Sequence, residues 1–319
     1  MKDSGNHIEI AKEQIPPGRS QTLEIPVSRL PTQTVLSLPV TVVNGLLAGP
    51  RLWLSAAIHG DELNGVEIIR QVLEQVQPED LRGTLFAVPI VNVFGFLEQS
   101  RYLPDRRDLN RSFPGSENGS LAARLANLFM REIVNQSTHG IDLHTAAIHR
   151  VNLPQIRANL KDQATYEFAK AFGTEVIIHA TSRDGSLREA ATQQGIPVLL
   201  YEAGEALRFD HHAIATGVRG IFQVMNYLGM SSFAVSESSN SIVEIYQSKW
   251  MRASIGGILH LTVNLGDKVV KKEKLGFITD AFGESKHSVR ATIDGIVIGF
   301  TRNPLVNQGD GIVHLAMLD

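Results

Sequence analysis

His59 and Glu62 are separated by two residues in LWLSAAIHGDELNG (Leu52 to Gly65), where an apolar run gives way to charge. At a strand-to-helix turn, that spacing lets both side chains converge on one point, and an imidazole nitrogen with a carboxylate oxygen suits Zn2+. Alone, the pair also fits a capped, solvated helix start. A catalytic zinc usually has three protein ligands and an open position for water, so a third ligand is required. His144, in HGIDLHTA at the end of another short apolar stretch, is the candidate. Asp142, two residues earlier, faces the same side of a strand and can orient a neighbouring group. With no cysteine in the chain, disulfides are excluded and any metal must be held by His, Asp, Glu or water.

Between these ligands lies SRYLPDRRDLNRSFPG, Ser100 to Gly115, with four arginines and an asparagine. A solvated loop would look similar, but the Asp-Leu-Asn-Arg core offers more. Arg111 is a planar fork matched to a carboxylate, Asn110 supplies further donors, and Asp108 can hold the loop by accepting hydrogen bonds. A metal beside such a clamp implies a small-molecule substrate with a free carboxylate. Downstream, IPVLLYEAGE ends an apolar run with Tyr201, Glu202 and Gly204. A carboxylate there can take a proton from water as it attacks an amide carbonyl and pass it to the departing nitrogen, which makes Glu202 the expected general base. A strand-end salt bridge is the plainer use of that position. Glu205 is the substitute base, expected in a loop beyond Gly204.

In this order, His-x-x-Glu, Asp-Leu-Asn-Arg, Asp-Leu-His and Glu-x-Gly resemble the succinylglutamate desuccinylase and aspartoacylase family, a branch of the zinc carboxypeptidase fold. The resemblance runs from roughly Leu52 to Gly229. It implies one zinc ion per chain on His59, Glu62 and His144, a substrate carboxylate held by Asn110 and Arg111, and Glu202 as base. It also implies an arginine upstream of the Asn-Arg pair that polarises the carbonyl and stabilises the oxyanion. Arg101 looks like that residue, with Arg106 and Arg107 as alternatives because the spacing here is longer than in aspartoacylases.

These residues need a scaffold that brings strand ends together. The blocks TVLSLPVTVVNG, RLWLSAAIHG, GTLFAVPIVN, GTEVIIHAT and IPVLLYEAG read as strands, with helical spacing between several of them. That pattern predicts an α/β fold, a mixed sheet flanked by helices, with chemistry at the carboxyl ends of its strands. Asp61 is the expected N-cap of a helix over ELNGVEIIRQVLEQV, with Glu62 in its first turn and Val66, Ile69, Val72, Leu73 and Val76 on one stripe. SLAARLANLFMREIVNQ and KDQATYEFAKAFG predict two more helices. IHRVNLPQIRANL and SRDGSLREA are expected to be loops that touch substrate. The serine-rich stretch Ser231 to Ser241 reads as a linker, dividing a catalytic domain (1–235) from a small β domain (242–319). In the latter, GGILHLTVNLGDKV echoes DGIVIGFTRNPLVNQGDGI, which predicts two similar β units packed together. The resemblance implies a barrel-sandwich-like domain similar to biotinyl and lipoyl carriers. Lys286, in ESKHS, lacks the context of a modified carrier lysine, so no swinging arm is expected.

At 319 residues and 43% hydrophobic composition the chain can bury a sizeable core. A net charge of -3 gives no reason to expect nucleic acid or an anionic membrane surface as partner. The N-terminal segment lacks an apolar core of signal-peptide length, and no run approaches the ~20 apolar residues of a membrane span, so a cytoplasmic protein is expected. A homo-oligomer is left open. The reading that unites these features is a zinc-dependent hydrolase that removes an acyl group from an N-acylated amino acid or related small amine. A metallocarboxypeptidase acting on short peptides competes, and a β domain capping the cleft would oppose it. A non-catalytic binding protein retaining the fold also competes, and the complete set of ligands and base opposes it.

Overall fold

Alternation along Leu52 to Ala56 sends Leu52, Leu54 and Ala56 into one hydrophobic layer and Trp53 into the other, and burial on both faces organises the whole sheet. The computed structural model describes residues 7–181, 184–234 and 242–318. A hairpin of β1 (Ile8–Ile10) and β2 (Glu13–Ile15) precedes β3 (Arg19–Arg29), β4 (Val35–Asn44) and β5 (Leu47–Ala56). Next come α1 (Asn64–Leu73), β6 (Arg82–Val88), α2 (Val93–Leu97), a 3-10 turn at Leu109–Arg111, and α3 (Leu121–Glu132). The chain continues through β7 (His139–Ala146), β8 (Arg150–Ala158), α4 (Gln163–Phe172), β9 (Val176–His179), α5 (Leu187–Thr192), β10 (Val198–Glu205) and α6 (His211–Tyr227). Past the serine-rich stretch lie β11 (Val243–Ile245), β12 (Ser248–Arg252), β13 (Gly257–Leu261), β14 (Lys268–Val269) and β15 (Lys274–Thr279). The last strands are β16 (Lys286–Arg290), β17 (Gly295–Thr301), β18 (Leu305–Val306) and β19 (Gly311–Met317).

One mixed sheet of 13 strands runs β12-β19-β17-β8-β10-β7-β5-β6-β4-β3, with β9, β11 and β14 branching from that path. Its centre, β6-β5-β7-β10, is parallel, and β4 and β8 close it on either side antiparallel. Helices α1, α4 and α6 cover one face through Ile68, Phe168 and Ile221, while α3 and α5 cover the other through Phe129 and Leu187. The α3 and α4 segments behave as expected, each capped by a side chain, Ser120 and Asp162 respectively, at its first turn.

Three expectations change. Helix α1 begins only at Asn64, after Leu63, and Asp61 does not cap it. The backbone before it is spent on a turn in which the Glu62 N–H donates to the His59 carbonyl at 3.0 Å, so Glu62 precedes the helix. IHRVNLPQIRANL is no loop: Arg150–Ala158 is an internal strand. Pro154, which argues against a central strand because it cannot donate to the ladder, sits where the β8 register on β10 shifts. There β8 also exchanges β17 for β9 as its other neighbour. Within SRDGSLREA, Leu187–Thr192 is a helix capped by Ser186, and Ser182 and Arg183 lie outside the described residues.

Most of the expected linker, 235–241, lies outside the described residues as well. Beyond it, the two echoing segments pair reciprocally. β13 of the first segment pairs with β18 of the second, Gly257 opposite Val306, and β17 of the second pairs with β14 of the first, Gly295 opposite Val269. A smaller four-stranded sheet, β16-β15-β13-β18, packs here around Leu275, Ile278 and Val297. β17 also pairs with β8, so the C-terminal strands extend the main sheet. No helix among the described residues is long and apolar enough to cross a membrane.

Candidate active site

The carboxyl ends of β5, β7 and β10 bring the chemistry together. Ala57, in the left-handed region (φ 49°), turns the chain out of β5, and His59 and Glu62 follow in the turn. The first turn of α1 presses onto the same strand ends: a Cβ on Gly65 would stand 2.7 Å from the Cβ atoms of both Ala56 and Leu143. On β7, His144 lies one residue beyond Leu143, the register partner of Ala56. On β10, Glu202 is the register partner of His144. The β10 register then shifts, with Gly204 (φ 75°) taking the irregularity.

His59, Glu62 and His144 are buried and meet directly. The Glu62 carboxylate lies between two imidazoles, Oε1 at 2.7 Å from His59 Nδ1 and Oε2 at 2.8 Å from His144 Nδ1. Thr145 N–H donates to Oε2 at 3.1 Å. One ligand atom from each of the three residues falls within 4.8 Å of the others, so the group could hold a metal ion. The outer nitrogens support that fit. His144 Nε2 contacts Asp142 at 2.7 Å and His59 Nε2 contacts Asp108 at 3.2 Å. Carboxylates behind ligating histidines fix the ring orientation and tautomer in metal sites. Asp142 is itself held by the Ser55 hydroxyl at 2.8 Å.

The charges are strongly coupled. Burial alone would push the Glu62 carboxyl up, but the imidazoles of His59 and His144 hold it well below the usual carboxylate range. Burial would lower His144, yet Asp142 and Glu62 raise it well above the ordinary imidazole value. His59 is raised in the same way, its burial outweighed by Glu62 and Asp108. A carboxylate between two buried imidazoles, each backed by a second carboxylate, is a local environment that favours positive charge.

Asp108 organises the arginine-rich loop. It accepts from Arg101 at 2.9 Å and from the Asn110 N–H at 2.9 Å, besides contacting His59. Arg101 also stands 3.6 Å from Glu62. Buried Asn110 accepts from the Leu187 N–H at 3.0 Å, tying the loop to α5, and the Arg111 guanidinium folds onto the Asn110 carbonyl. A cavity of about 800 Å³ opens over the cluster, lined by His59, Glu62, His144, Arg101, Asn110, Arg111 and Glu202 among others. All seven expected site residues therefore reach one cavity. Arg106 and Arg107 do not line it, and Arg107 faces Asp105 at 3.5 Å. Glu205 is the last residue of β10 rather than part of a loop, buried beside Arg208 and Arg302 at 3.7 and 3.6 Å.

The segments IHRVNLPQIRANL and SRDGSLREA, expected to touch substrate, do reach the cavity, through Arg150, Asn152 and Arg157 and through Ser186 and Arg188, although no individual residue in them was singled out. Glu202 is ion-paired with Arg157 of β8 at 2.5 Å. Arg150, Ser248, Trp250 and His314 form part of the wall. Period-2 spacing of Gln155 and Arg157 was the available signal for β8, and Pro154 obscured it. Nothing local marked the C-terminal residues.

Residues 48–228 match the family model of the succinylglutamate desuccinylase/aspartoacylase catalytic domain. The N-alpha-acetyl-L-2,4-diaminobutyric acid deacetylase of Halomonas elongata is 28% identical over 292 residues, 88% of this chain and 85% of that protein. The product-bound structure of the ectoine utilization protein EutE (DoeB) from Ruegeria pomeroyi superposes with a TM-score of 0.84 at 24% identity, covering 95% of this chain and 97% of that one. The succinylglutamate desuccinylase/aspartoacylase from Rhodobacter sphaeroides gives 0.82 at 25% identity, covering 96% and 98%.

Proposed function

The chain belongs to the succinylglutamate desuccinylase/aspartoacylase family, and from that premise we propose that it is a zinc-dependent hydrolase removing an acyl group from the amine of a small N-acylated amino acid. The observation that carries this reading is the cluster of His59, Glu62 and His144 at the floor of a cavity that also receives Glu202, Arg101 and Arg111. His59, Glu62 and His144 would hold one zinc ion, which when bound supplies Lewis acidity toward water and the amide carbonyl. Glu202 takes a proton from the attacking water and delivers it to the departing amine nitrogen. Arg101, held in place by Asp108, donates to the oxygen on which charge develops. Asn110 and Arg111 anchor the substrate carboxylate. We assign residues 1–235 to the catalytic unit and 242–319 to a small β unit whose Trp250 and His314 wall the cleft, which favours compact substrates over long peptides.

The test combines metal analysis with a substrate panel. The purified full chain is dialysed with zinc, its metal content measured, and N-acetyl amino acids, N-succinyl amino acids and short peptides are offered. One zinc per chain, its absence from His144→Ala, and turnover of N-acyl amino acids that stops on chelation are expected. Stoichiometric zinc in the alanine variant overturns the ligand assignment. Turnover of peptides alone overturns the deacylase reading.

A further inference from the structure

Asn64, the first residue of α1, is a fully buried amide that does not line the cavity. Its side-chain hydrogen bonds run to the end of β10 and the start of α6. Nδ2 donates to the Ala203 carbonyl at 3.2 Å, and Oδ1 accepts the Asp210 N–H at 3.0 Å. A third bond runs beside them, from the Leu207 N–H to the Asp61 carbonyl at 2.8 Å. The turn that carries His59 and Glu62 is thereby fastened to residues 203–210, a segment that begins one residue past Glu202.

The sheet alone does not hold this segment. The register of β10 shifts on β7 between Glu202 and Glu205, and on β8 between Glu202 and Gly204. A ladder interrupted in this way leaves backbone groups without strand partners, and buried backbone groups have to be paired. Ala203 is fully buried, and Asn64 supplies its carbonyl with a partner from another element. The fit is close. Gly204 has a φ of 75°, and a Cβ there would stand 2.5 Å from Asn64 Nδ2. Asparagine suits the place because one short planar group offers both a donor and an acceptor. Asp210 in turn caps α6, accepting the His212 and Ala213 N–H groups at 3.1 and 3.0 Å, so the clamp joins α1, β10 and α6.

We propose that Asn64 is a positioning residue: it locks the irregular end of β10 to the His59–Glu62 turn and so fixes the reach from Glu202 to the point where His59, Glu62 and His144 meet. This rests on the hydrolase reading above. Pairing with His144 on β7 sets the place of Glu202 along the sheet. The contacts of residues 203–210 set how far that strand end stands from the turn. With the amide removed, turn and strand end shift independently, and a displacement of about 1 Å between reacting groups costs on the order of 100-fold in rate. Asn110 and Arg111 sit on a different loop, so substrate binding is spared.

The experiment compares the zinc-loaded full chain with its Asn64→Ala, Asn64→Asp and Asp210→Ala variants. Asn64→Asp keeps the volume and the acceptor for the Asp210 N–H but sets an oxygen against the Ala203 carbonyl, so it breaks the link to β10 alone, and it decides the matter should Asn64→Ala fail to fold. Asp210→Ala removes the cap of α6 and leaves both Asn64 bonds in place, which controls for lost stability. The substrates are N-acetyl-L-alanine, N-acetyl-L-glutamate and N-succinyl-L-alanine. Both Asn64 variants should keep one zinc per chain, lose about 10- to 100-fold in kcat and hold KM within about 3-fold. Asp210→Ala should unfold at lower denaturant with parental kcat. Amide hydrogen exchange over residues 203–210 reads the link without turnover: zinc should slow it in the parent and leave it unchanged in Asn64→Asp, although the ion is bound. If none of the three compounds is hydrolysed, the deacylase reading fails and exchange alone decides the clamp. If the parent retains no zinc, the ligand assignment fails, and exchange in the metal-free chain decides, since Asn64→Asp should still speed it at Leu207, whose own partner is the Asp61 carbonyl. An Asn64 variant with kcat within a few-fold of the parent, a loss confined to KM, an equal fall in kcat in Asp210→Ala, or zinc protection that survives in Asn64→Asp overturns the proposal.

Discussion

At the scale of residues, the cluster of His59, Glu62 and His144, which could hold a metal ion, is separate from Glu202 and Arg111, to which we assign the handling of substrate. Glu202 lies outside the carboxylate–imidazole cluster, so its role is separable from metal retention. Glu202→Gln keeps the side-chain volume while removing the base. It should retain zinc and lose about 100-fold or more in kcat, read by metal content and steady-state rates on one preparation. Activity within a few-fold of the parent would remove Glu202 from the role. Arg111 makes a geometric demand that charge alone does not meet. Lysine cannot reproduce a planar fork, so Arg111→Lys should lose kcat/KM on a substrate with a free carboxylate and lose little more on its amidated analogue. Equal losses on acid and amide would make Arg111 a strut of the DLNR loop.

At the scale of elements, the close seating of α1 on β5 and β7 holds His59 and Glu62 against His144. Gly65→Ala brings two effects of opposite sign. Helix propensity favours alanine by about 0.5–1 kcal/mol, while forcing a methyl to 2.7 Å from two Cβ atoms costs about 1–3 kcal/mol through overpacking. Neither neighbour can swing aside, because each Cβ is fixed to strand backbone, so the clash wins. The variant should unfold at lower denaturant and bind zinc more weakly. Unchanged stability together with parental zinc affinity would show that the helix moves freely on the strands. The seating of β8 illustrates the opposite lesson. A proline in a central strand is tolerated because Pro154 falls at the change of partners, a circumstance that only the register reveals.

At the scale of the whole molecule, the C-terminal strands complete the cavity and bury His314. Burial, followed by the guanidiniums of Arg157 and Arg150, pushes this imidazole down to about 4. Its folded value lies below the unfolded one, so the unfolded chain takes up the proton first on acidification. The stability contributed by the neutral ring is therefore full above about pH 6.5 and is lost as pH falls from there toward 4, on the order of 3 kcal/mol across the window. His314→Gln removes the titration, so the stability difference between parent and variant should shrink over that range in denaturant titrations. A constant difference from pH 7 to pH 4 would show that His314 does not couple folding to protons.

The sequence by itself picked out the residues that meet in the cavity, the His59, Glu62 and His144 cluster, Glu202 and the DLNR loop, because each stands at short spacing next to apolar runs that must be buried. It also determined the α/β sheet and the echo of the C-terminal segments, since period-2 and period-3.6 burial are local properties. Tertiary structure decided what depends on contacts between distant segments. Arg101, rather than Arg106 or Arg107, faces the cavity because Asp108 accepts its guanidinium while it contacts His59. Glu62 sits before α1 because its carboxylate has to bridge two histidines on different strand ends. Arg150, Arg157, Trp250 and His314 share one wall because β8 pairs with β10 on one side and β17 on the other. No spacing along the chain encodes that pairing: it follows from the register that buries the most apolar surface while satisfying the backbone hydrogen bonds of the whole sheet.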